Sequence, residues 1–208
     1  MIKTTEKILD TAEDLFSENG YSATSLRSIT QAAGVNLAAI HYHFHSKDAL
    51  LDAVIARRAE VMNRERSARL DECERRAGDG QPALEPVLEA FLIPVFELAN
   101  HSRRGRVFVK LMSRVHSEAE LFSQILQKHF SEVATRFAAN LRRALPELSP
   151  EDLFLRLNFV MGAVLNALSG PRLVEALPGG HHPAPDGETV AARLIEFVAA
   201  GLRAGMKA

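Results

Sequence analysis

Residues 24–47, TSLRSITQAAGVNLAAIHYHFHSK, carry the chemistry of this chain, and it is the chemistry of binding rather than of bond breaking. From 21 to 47 there is no Asp or Glu, although acids are frequent on both sides. The segment holds two short helix patterns separated by Gly34. A turn-linked helix pair free of carboxylates is what a polyanion such as DNA requires of its contact surface. The plain alternative is a small helical hairpin with few acids by chance.

Other chemistries lack their parts. There is no CxxC, no HExxH, no P-loop and no GxSxG, and no nucleophile–base constellation, so neither an enzyme nor a cofactor is expected. His41 and His45 stand one helical turn apart, a metal-ligand spacing, but no Cys or carboxylate nearby completes a site, and no metal is expected. His181 and His182 fall in a loop pattern and read as solvated. The lone Cys73 sits among charges and excludes an intramolecular disulfide.

The elements that must position the 24–47 segment read as helices throughout. Apolar spacings of three and four recur, and strand-type alternation is absent. The first helix has a cap candidate at Thr4, an acid at Glu6 and a stripe of Ile8, Ala12, Leu15 and Phe16. It stops at Asn19–Gly20. The second is capped by Thr24 or Ser25, buries Leu26, Ile29 and Ala33, and ends at Gly34. The third starts at Asn36 and buries Ile40 and Phe44, ending before His45. Ser46 caps a fourth helix with Asp48 favourably placed against its dipole. Its inner face is Leu50, Ala53 and Val54, and it runs on as a charged connector with a thinner stripe at Val61, Leu70 and Cys73.

GDGQP breaks the pattern at 78–82, and broader apolar faces follow. One helix carries Leu84, Val87, Leu88, Phe91, Leu92, Val95 and Leu98 with Pro94 inside it, which predicts a kink. A short helix spans 107–115, and a long one carries Phe122, Leu126, Phe130, Val133, Phe137 and Leu141. Ser149–Pro150 opens the next, with Leu153, Leu157, Val160, Met161, Val164 and Leu168. An irregular loop precedes the last helix, 188 to about 206, which carries Val190, Leu194, Phe197, Val198 and Leu202.

A chain of 208 residues, 47% hydrophobic, has ample material for a core in one or two domains. The expected division is a helix-turn-helix domain at 1–50 and a larger helical domain at 51–208. A formal net charge of -1 means that any attraction to DNA must come from a local patch. No run approaches eighteen apolar residues, so no membrane partner is expected, and without a leader pattern the chain reads as cytoplasmic.

The stretch EKILDTAEDLFSENGYSATSLRSITQAAGVNLAAIHYHFHSKDALLDAV resembles the DNA-binding domain of the TetR family of bacterial repressors. The points of match are LF-x3-GY, the TSLR start of helix two, AAGV, the Y-x-F helix and SK-x-AL, over about the first quarter of the chain. The resemblance implies an all-α fold: an N-terminal three-helix helix-turn-helix domain plus a C-terminal helical ligand-binding and dimerisation domain. GVNLAAIHYHF-x-SKDALL, together with FVKLMSRVHSEAELFSQIL and LSPEDLFLRLNFVMGA, further resembles the fatty-acid-responsive regulators of the PsrA type, which implies release by long-chain acyl ligands.

Carried onto this sequence, helix three is the recognition helix, and its N-terminal half faces base edges in the major groove. Leu37, Ala38 and Ala39 take the reading positions, where alanines pack on thymine methyls. Leu37 serves equally as core. His41 and His43 are base or phosphate contacts, and Tyr42 and Lys47 match phosphate-binding positions. Thr24 and Ser25 donate to phosphate, although helix capping is their first role. Arg27 is the strongest candidate for a base contact, through a bidentate pair with guanine. The family pattern often has a lysine or polar residue where Leu37 and Ala38 stand, which shifts weight to Arg27, His41 and DNA shape.

In the C-terminal domain, Phe91, Val95, Phe96, Phe108, Met112, Phe122 and Phe159 are candidate lining for a flexible apolar effector, though such stripes are usually plain core. Arg103, Arg104 and Arg106 could meet an anionic ligand or form a solvated turn. Small residues Gly162, Ala163, Ala167, Ala199, Ala200 and Gly201 permit close helix approach, and the resemblance implies a homodimer through the last two long helices. The expected partners are a double-stranded, palindromic DNA operator, a small apolar effector and a second copy of the chain. The alternative is a TetR-like DNA-bound interaction protein that regulates another protein's assembly without a small molecule.

Overall fold

The computed structural model describes residues 4–169 and 185–205. Within them the chain is all-helical, with nine helices and no strand. They are α1 (Thr4–Asn19), α2 (Leu26–Ala33), α3 (Leu37–Phe44), α4 (Lys47–Ala77), α5 (Leu84–His101), α6 (Arg103–His116), α7 (Ala119–Ala144), α8 (Pro150–Ser169) and α9 (Gly187–Arg203). His181, His182 and the expected helix end at Met206 lie outside the described residues.

The split expected near residue 50 falls inside α4. By helix contacts the chain groups into a unit of Met1–Val61 with Ser102–Ser131 and a unit of Met62–His101 with Glu132–Ala208. α6 belongs to the first unit because it packs on α1.

In the first unit α1 buries Ile8, Leu9, Ala12 and Phe16. Leu15, expected in the stripe, is half-buried, and its place on the inner face goes to an acid: Glu13 is fully enclosed. Arg57 Nη2 lies 2.9 Å from Glu13 Oε2, and Arg58 Nε 3.1 Å from Oε1. Arg57 also meets Glu6 at 3.0 Å and Asp10 at 2.9 Å. Arg104 on α6 pairs with Asp10 at 3.3 Å and Asp14 at 3.1 Å, and Arg103 with Asp14 at 3.3 Å. The acidic face of α1 is therefore clamped by arginines of α4 and α6. A carboxylate enclosed in this way survives only because its charge is met by nearby guanidinium groups. Burial works against the Arg57 cation, but Glu13 and Asp10 outweigh it and hold its pKa above the usual arginine value. Arg103 and Arg104 are engaged here, which removes them as candidates for a ligand phosphate or carboxylate.

The second unit packs α9 against α5 and α8. Its share of α4 buries Met62, Arg66, Leu70 and Cys73, at spacings of four, four and three. Val61, expected in that stripe, is 55% exposed, and Arg66 stands in the line of buried positions. Pro94 sits inside α5 as expected. On α7, Arg136 reaches both carboxylates Asp71 and Glu74 of α4. On α9 the buried set is Ala191, Leu194, Ile195, Val198, Ala199 and Leu202, whereas Phe197, expected on the inner face, is 71% exposed.

Glu13→Gln keeps the side-chain shape and removes the counter-charge. Because Arg57 and Arg58 retain some contact with water, the expected loss of unfolding free energy is about 2 kcal/mol, below that of a fully buried pair. Urea unfolding followed by circular dichroism measures it, and a variant as stable as the parent would show that the clamp does not hold α1.

Candidate nucleic-acid interface

The interface is built on two helices that start and stop under local control. Ser25 caps α2: the Ser28 N–H donates to its Oγ at 3.0 Å, and the Ser25 N–H donates to Ser28 Oγ at 3.1 Å. At the other end Gly34 adopts φ 60°, the left-handed region. Its N–H reaches Gln31 O at 3.2 Å and that of Val35 reaches Thr30 O at 3.0 Å, the paired closure that needs glycine at this position. Asn36 caps α3, accepting the Ala39 N–H on Oδ1 at 2.8 Å.

The eight residues of α3 divide cleanly. Ile40 is fully buried and Phe44 nearly so, one turn apart, and they fix the helix to its neighbours. The remaining positions face outward. Tyr42 is 80% exposed and Leu37 45%, with Ala38, His41 and His43 also exposed and Ala39 half-buried. The exposure of Leu37 decides between its two readings in favour of the surface. The His43 ring packs edge-on against Tyr42, centroids 5.0 Å apart, which supports the tyrosine while leaving its hydroxyl in water.

The corner between α3 and α4 is strained. His45 has φ 66° and ψ -45°, and the Ser46 N–H donates to Phe44 O at 2.7 Å across it, a γ-turn of the uncommon hand. His41 Nδ1 lies 3.2 Å from His45 O and braces the turn. Ser46 then caps α4 by accepting the Ala49 N–H at 3.0 Å. With α3 ending at Phe44, His45 leaves the helical register that its spacing from His41 implied. No group of three or more metal-ligating residues occurs among the described residues.

Lys47, at the start of α4, is held by a residue to which the sequence reading assigned no role. Its ammonium lies 4.2 Å from the centroid of the Tyr21 ring, and Nζ donates to Ser22 O at 3.5 Å. The Tyr21 hydroxyl donates to Asp48 Oδ1. Burial and the Asp48 carboxylate both push the Tyr21 pKa up, so it remains a protonated donor. Tyr21 thus ties the α1–α2 turn to the first turn of α4. No local pattern announces a contact between residues 21, 47 and 48.

Thr24 is a correction. It is 2% exposed, and its hydroxyl donates to Gly20 O at 2.7 Å and lies 3.2 Å from Leu15 O. An inward hydroxyl already committed to the carbonyls that close α1 has no proton to offer a phosphate. Ser25, by contrast, is exposed.

The electrostatic character of this face follows from which arginines are paired. Arg57, Arg58, Arg103 and Arg104 of the same unit all meet carboxylates. Arg27 is exposed with no carboxylate partner among the described residues. One unpaired guanidinium, a lysine laid on an aromatic ring and an exposed tyrosine hydroxyl, with no acid on α2 or α3, can serve as hydrogen-bond donors to phosphate or base edges.

The effector residues expected from sequence fall in both units. Phe91, Val95 and Phe96 belong to the second unit, and Phe108, Met112 and Phe122 to the first. Phe108 is fully buried core, and Phe122 packs edge-on against His116 at 4.8 Å. Phe159 is 66% exposed on α8 and lines no interior.

Comparison with known proteins agrees with this geometry. Residues 8–54 match the family model described as bacterial regulatory proteins, tetR family, and residues 89–201 match the tetracyclin repressor-like C-terminal domain. The HTH-type transcriptional regulator AcrR of Shigella flexneri is 46% identical over 52 residues, 25% of this chain and 24% of that protein. The regulator UidR of Escherichia coli K12 is 36% identical over 52 residues, 25% of this chain and 26% of that one. These matches span only about a quarter of the relatives' length. Across nearly the whole chain the fold is shared with solved structures. The TetR-family regulator PfmR of Thermus thermophilus has TM-score 0.60 and 22% identity, covering 97% of this chain and 99% of that one. GusR of Salmonella enterica has TM-score 0.58 and 19% identity, covering 96% and 95%. With both helical regions matched, this chain belongs to the TetR family of bacterial transcriptional regulators.

Proposed function

We propose that this regulator is a homodimeric one-component repressor that binds a palindromic operator and is released by a small apolar effector. The observation that carries the DNA reading is that α2 and α3 are free of acids and present outward an unpaired Arg27 on the one and a Tyr42 that is 80% exposed on the other. Arg27 is assigned to base edges, and Ser25, Tyr42, His43 and Lys47 to phosphates, with the α2 N-terminus adding its dipole. Leu37, Ala38, Ala39 and His41 form the surface pressed against the major groove.

The dimer reading rests on α8 and α9. Leu155, Phe159 and Gly162 share one face of α8, and Phe197 and Gly201 one face of α9. Leu155 is 52%, Phe159 66% and Phe197 71% exposed, and a Cβ added at Gly162 or Gly201 would meet nothing within 4 Å. Aromatic rings beside open glycines form an apolar surface that another helix pair can enter closely. A two-fold dimer reads half-sites about 34 Å apart or a multiple of that. The same patch would suit the alternative, a DNA-bound protein acting on a different partner, and the oligomeric state separates the two.

The effector is assigned to the interior of the second unit, near Phe91, Val95 and Phe96. Its class follows the resemblance of 108–126 and 148–163 to fatty-acid-responsive regulators. A solved structure of the fatty acid degradation regulator FadR from Bacillus halodurans shares the fold, at TM-score 0.58 and 14% identity. Ligand changes operator affinity only if it binds the released state better than the bound one.

Fluorescence anisotropy on a duplex from the protein's own upstream region, at fixed salt, tests the reading. Arg27→Ala and Tyr42→Ala are each expected to weaken operator binding by about 1–3 kcal/mol, tenfold or more, with the dimer intact. Wild-type affinity in either would refute that contact assignment. Thr24→Val is expected to lower stability by about 1 kcal/mol while a folded sample keeps its operator affinity. Phe159→Glu with Phe197→Glu should yield monomers by light scattering and a loss of operator binding, and a dimer that survives both changes would move the interface elsewhere. Addition of a long-chain fatty acid or its acyl-CoA is expected to release the duplex; binding that both leave unchanged would keep the repressor and discard that effector class.

A further inference from the structure

Among the described residues of the second unit, one charged side chain is buried, and it has no counter-charge. Arg66 is 6% exposed. Its guanidinium carbon lies 4.0 Å from the centroid of the Phe91 ring, which is stacked in turn on Phe137 at 4.1 Å and 11°. Its Nε donates to Phe91 O at 2.9 Å. Pro94 has no N–H for the carbonyl of Ala90, and one position along α5 the Phe91 carbonyl takes this donor from α4.

This leaves most of the guanidinium fork unaccounted for. An arginine carries five N–H donors, and Phe91 O takes one. Among the described residues neither Nη1 nor Nη2 has a protein acceptor, and neither is among the enclosed polar atoms that lack a partner, so protein does not seal them off. Arg156 bonds the carbonyls of Gly201 and Leu202 from a less buried position, and the arginines of this unit that meet carboxylates are also placed differently. Arg69 pairs with Glu65 and Glu97, Arg136 with Asp71 and Glu74, and Arg203 with Glu85, all at more exposed positions. Burial alone pulls the Arg66 pKa down, to about 9, so the group remains a cation at neutral pH. A buried charge with no partner is the arrangement proteins ordinarily avoid, and an anion arriving at the Nη edge would remove the defect.

We propose that Arg66 is the anion-recognising residue of the effector site, and that the effector is an apolar molecule bearing one carboxylate. The inference rests on the reading of this chain as ligand-responsive. A planar fork fixed on an aromatic face matches a carboxylate in two parallel hydrogen bonds. One cation in an otherwise apolar interior balances one negative charge, whereas a phosphate, with about 1.5 to 2 charges at neutral pH, would be left over-charged. Phe91, Phe137 and the apolar residues of α5 suit a hydrocarbon or ring body. Arg66 lies between the stretches 8–54 and 89–201 that match the family models, so neither match assigns it a role.

Calorimetric titration of the full chain with dodecanoate, dodecanol and dodecanoyl-CoA tests the assignment, with helix content checked by circular dichroism. Wild-type protein is expected to bind dodecanoate about tenfold or more tighter than dodecanol. Arg66→Gln, which retains a donor for Phe91 O, is expected to bring dodecanoate down to the level of dodecanol, and Arg66→Lys to recover part of the difference. Equal binding of dodecanoate and dodecanol by the wild type, a carboxylate preference that survives Arg66→Gln, binding of dodecanoyl-CoA alone, or no binding of any probe would each overturn the proposal. If Arg66→Gln does not fold, the wild-type comparison decides alone. Anisotropy on the operator separates the two readings. Arg66-dependent binding of dodecanoate without release of DNA would keep the anion site and reject the effector role. Release by a neutral compound, unchanged in Arg66→Gln, would keep the effector reading and reject this site.

Discussion

Two helices of eight residues each, α2 and α3, cannot hold their shape alone, because a helix that short loses more chain entropy than its few hydrogen bonds return. The acid-free face therefore exists only as long as tertiary anchors supply the difference. Ile29 and Ala33 anchor α2, and Ile40 and Phe44 anchor α3. Thr24 closes the approach to α2 from α1, and Gly34 closes its exit. Beneath these, the enclosed Glu13 joins α1 to Arg57 and Arg58 of α4. Loss of that clamp would free the platform on which the short helices rest, without touching a residue of the outward face.

The elements with local causes were legible in the sequence. Caps at Ser25, Asn36 and Ser46, the glycine stop at Gly34, the Ile40–Phe44 pair and Pro150 at the first turn of α8 each follow from the chemistry of a few neighbouring residues. What could not be read depends on partners far along the chain. Glu13 looks like a surface acid until Arg57, Arg58 and Arg104 are placed around it. Thr24 looks like a cap until the carbonyls of Leu15 and Gly20 turn its hydroxyl inward. Arg66 falls at a core position of α4, but the charge hides the periodicity that Met62, Leu70 and Cys73 complete. Phe159 and Phe197 show the opposite failure. Helical spacing marks a residue as apolar-facing without saying whether the surface it meets belongs to its own chain.

Net charge was nearly silent about function, because a total of -1 averages faces of opposite character. Pairing is the more informative quantity. Arginines that meet carboxylates at about 3 Å have their field cancelled locally and serve the fold. Apart from Arg143 and Arg156, which are held by backbone carbonyls, two without carboxylates stand at opposite extremes. Arg27 is exposed, where solvation makes an unpaired charge cheap and available to a phosphate or a guanine. Arg66 is enclosed except at its Nη edge, where an arriving anion would supply the missing charge. Sorting cations by partner and burial thus separates scaffold, outward surface and interior in a way that composition cannot.

α4 takes part in all three. Its first residue, Lys47, lies on the Tyr21 ring, Arg57 and Arg58 bind α1 and Arg66 donates to the carbonyl of Phe91 on α5. A continuous helix transmits displacement along its axis more readily than a loop does, because its backbone hydrogen bonds resist bending. For a ligand at Arg66 to alter operator affinity, it must favour one seating of α4 over another, by no more than the difference in its own binding free energy to the two. A carboxylate on the Arg66 fork is suited to that role, because the cation's interaction with its surroundings is what changes on binding. The Phe91 carbonyl, the aromatic stack and the incoming anion would all act on the same side chain, so a shift in one must be felt by the others.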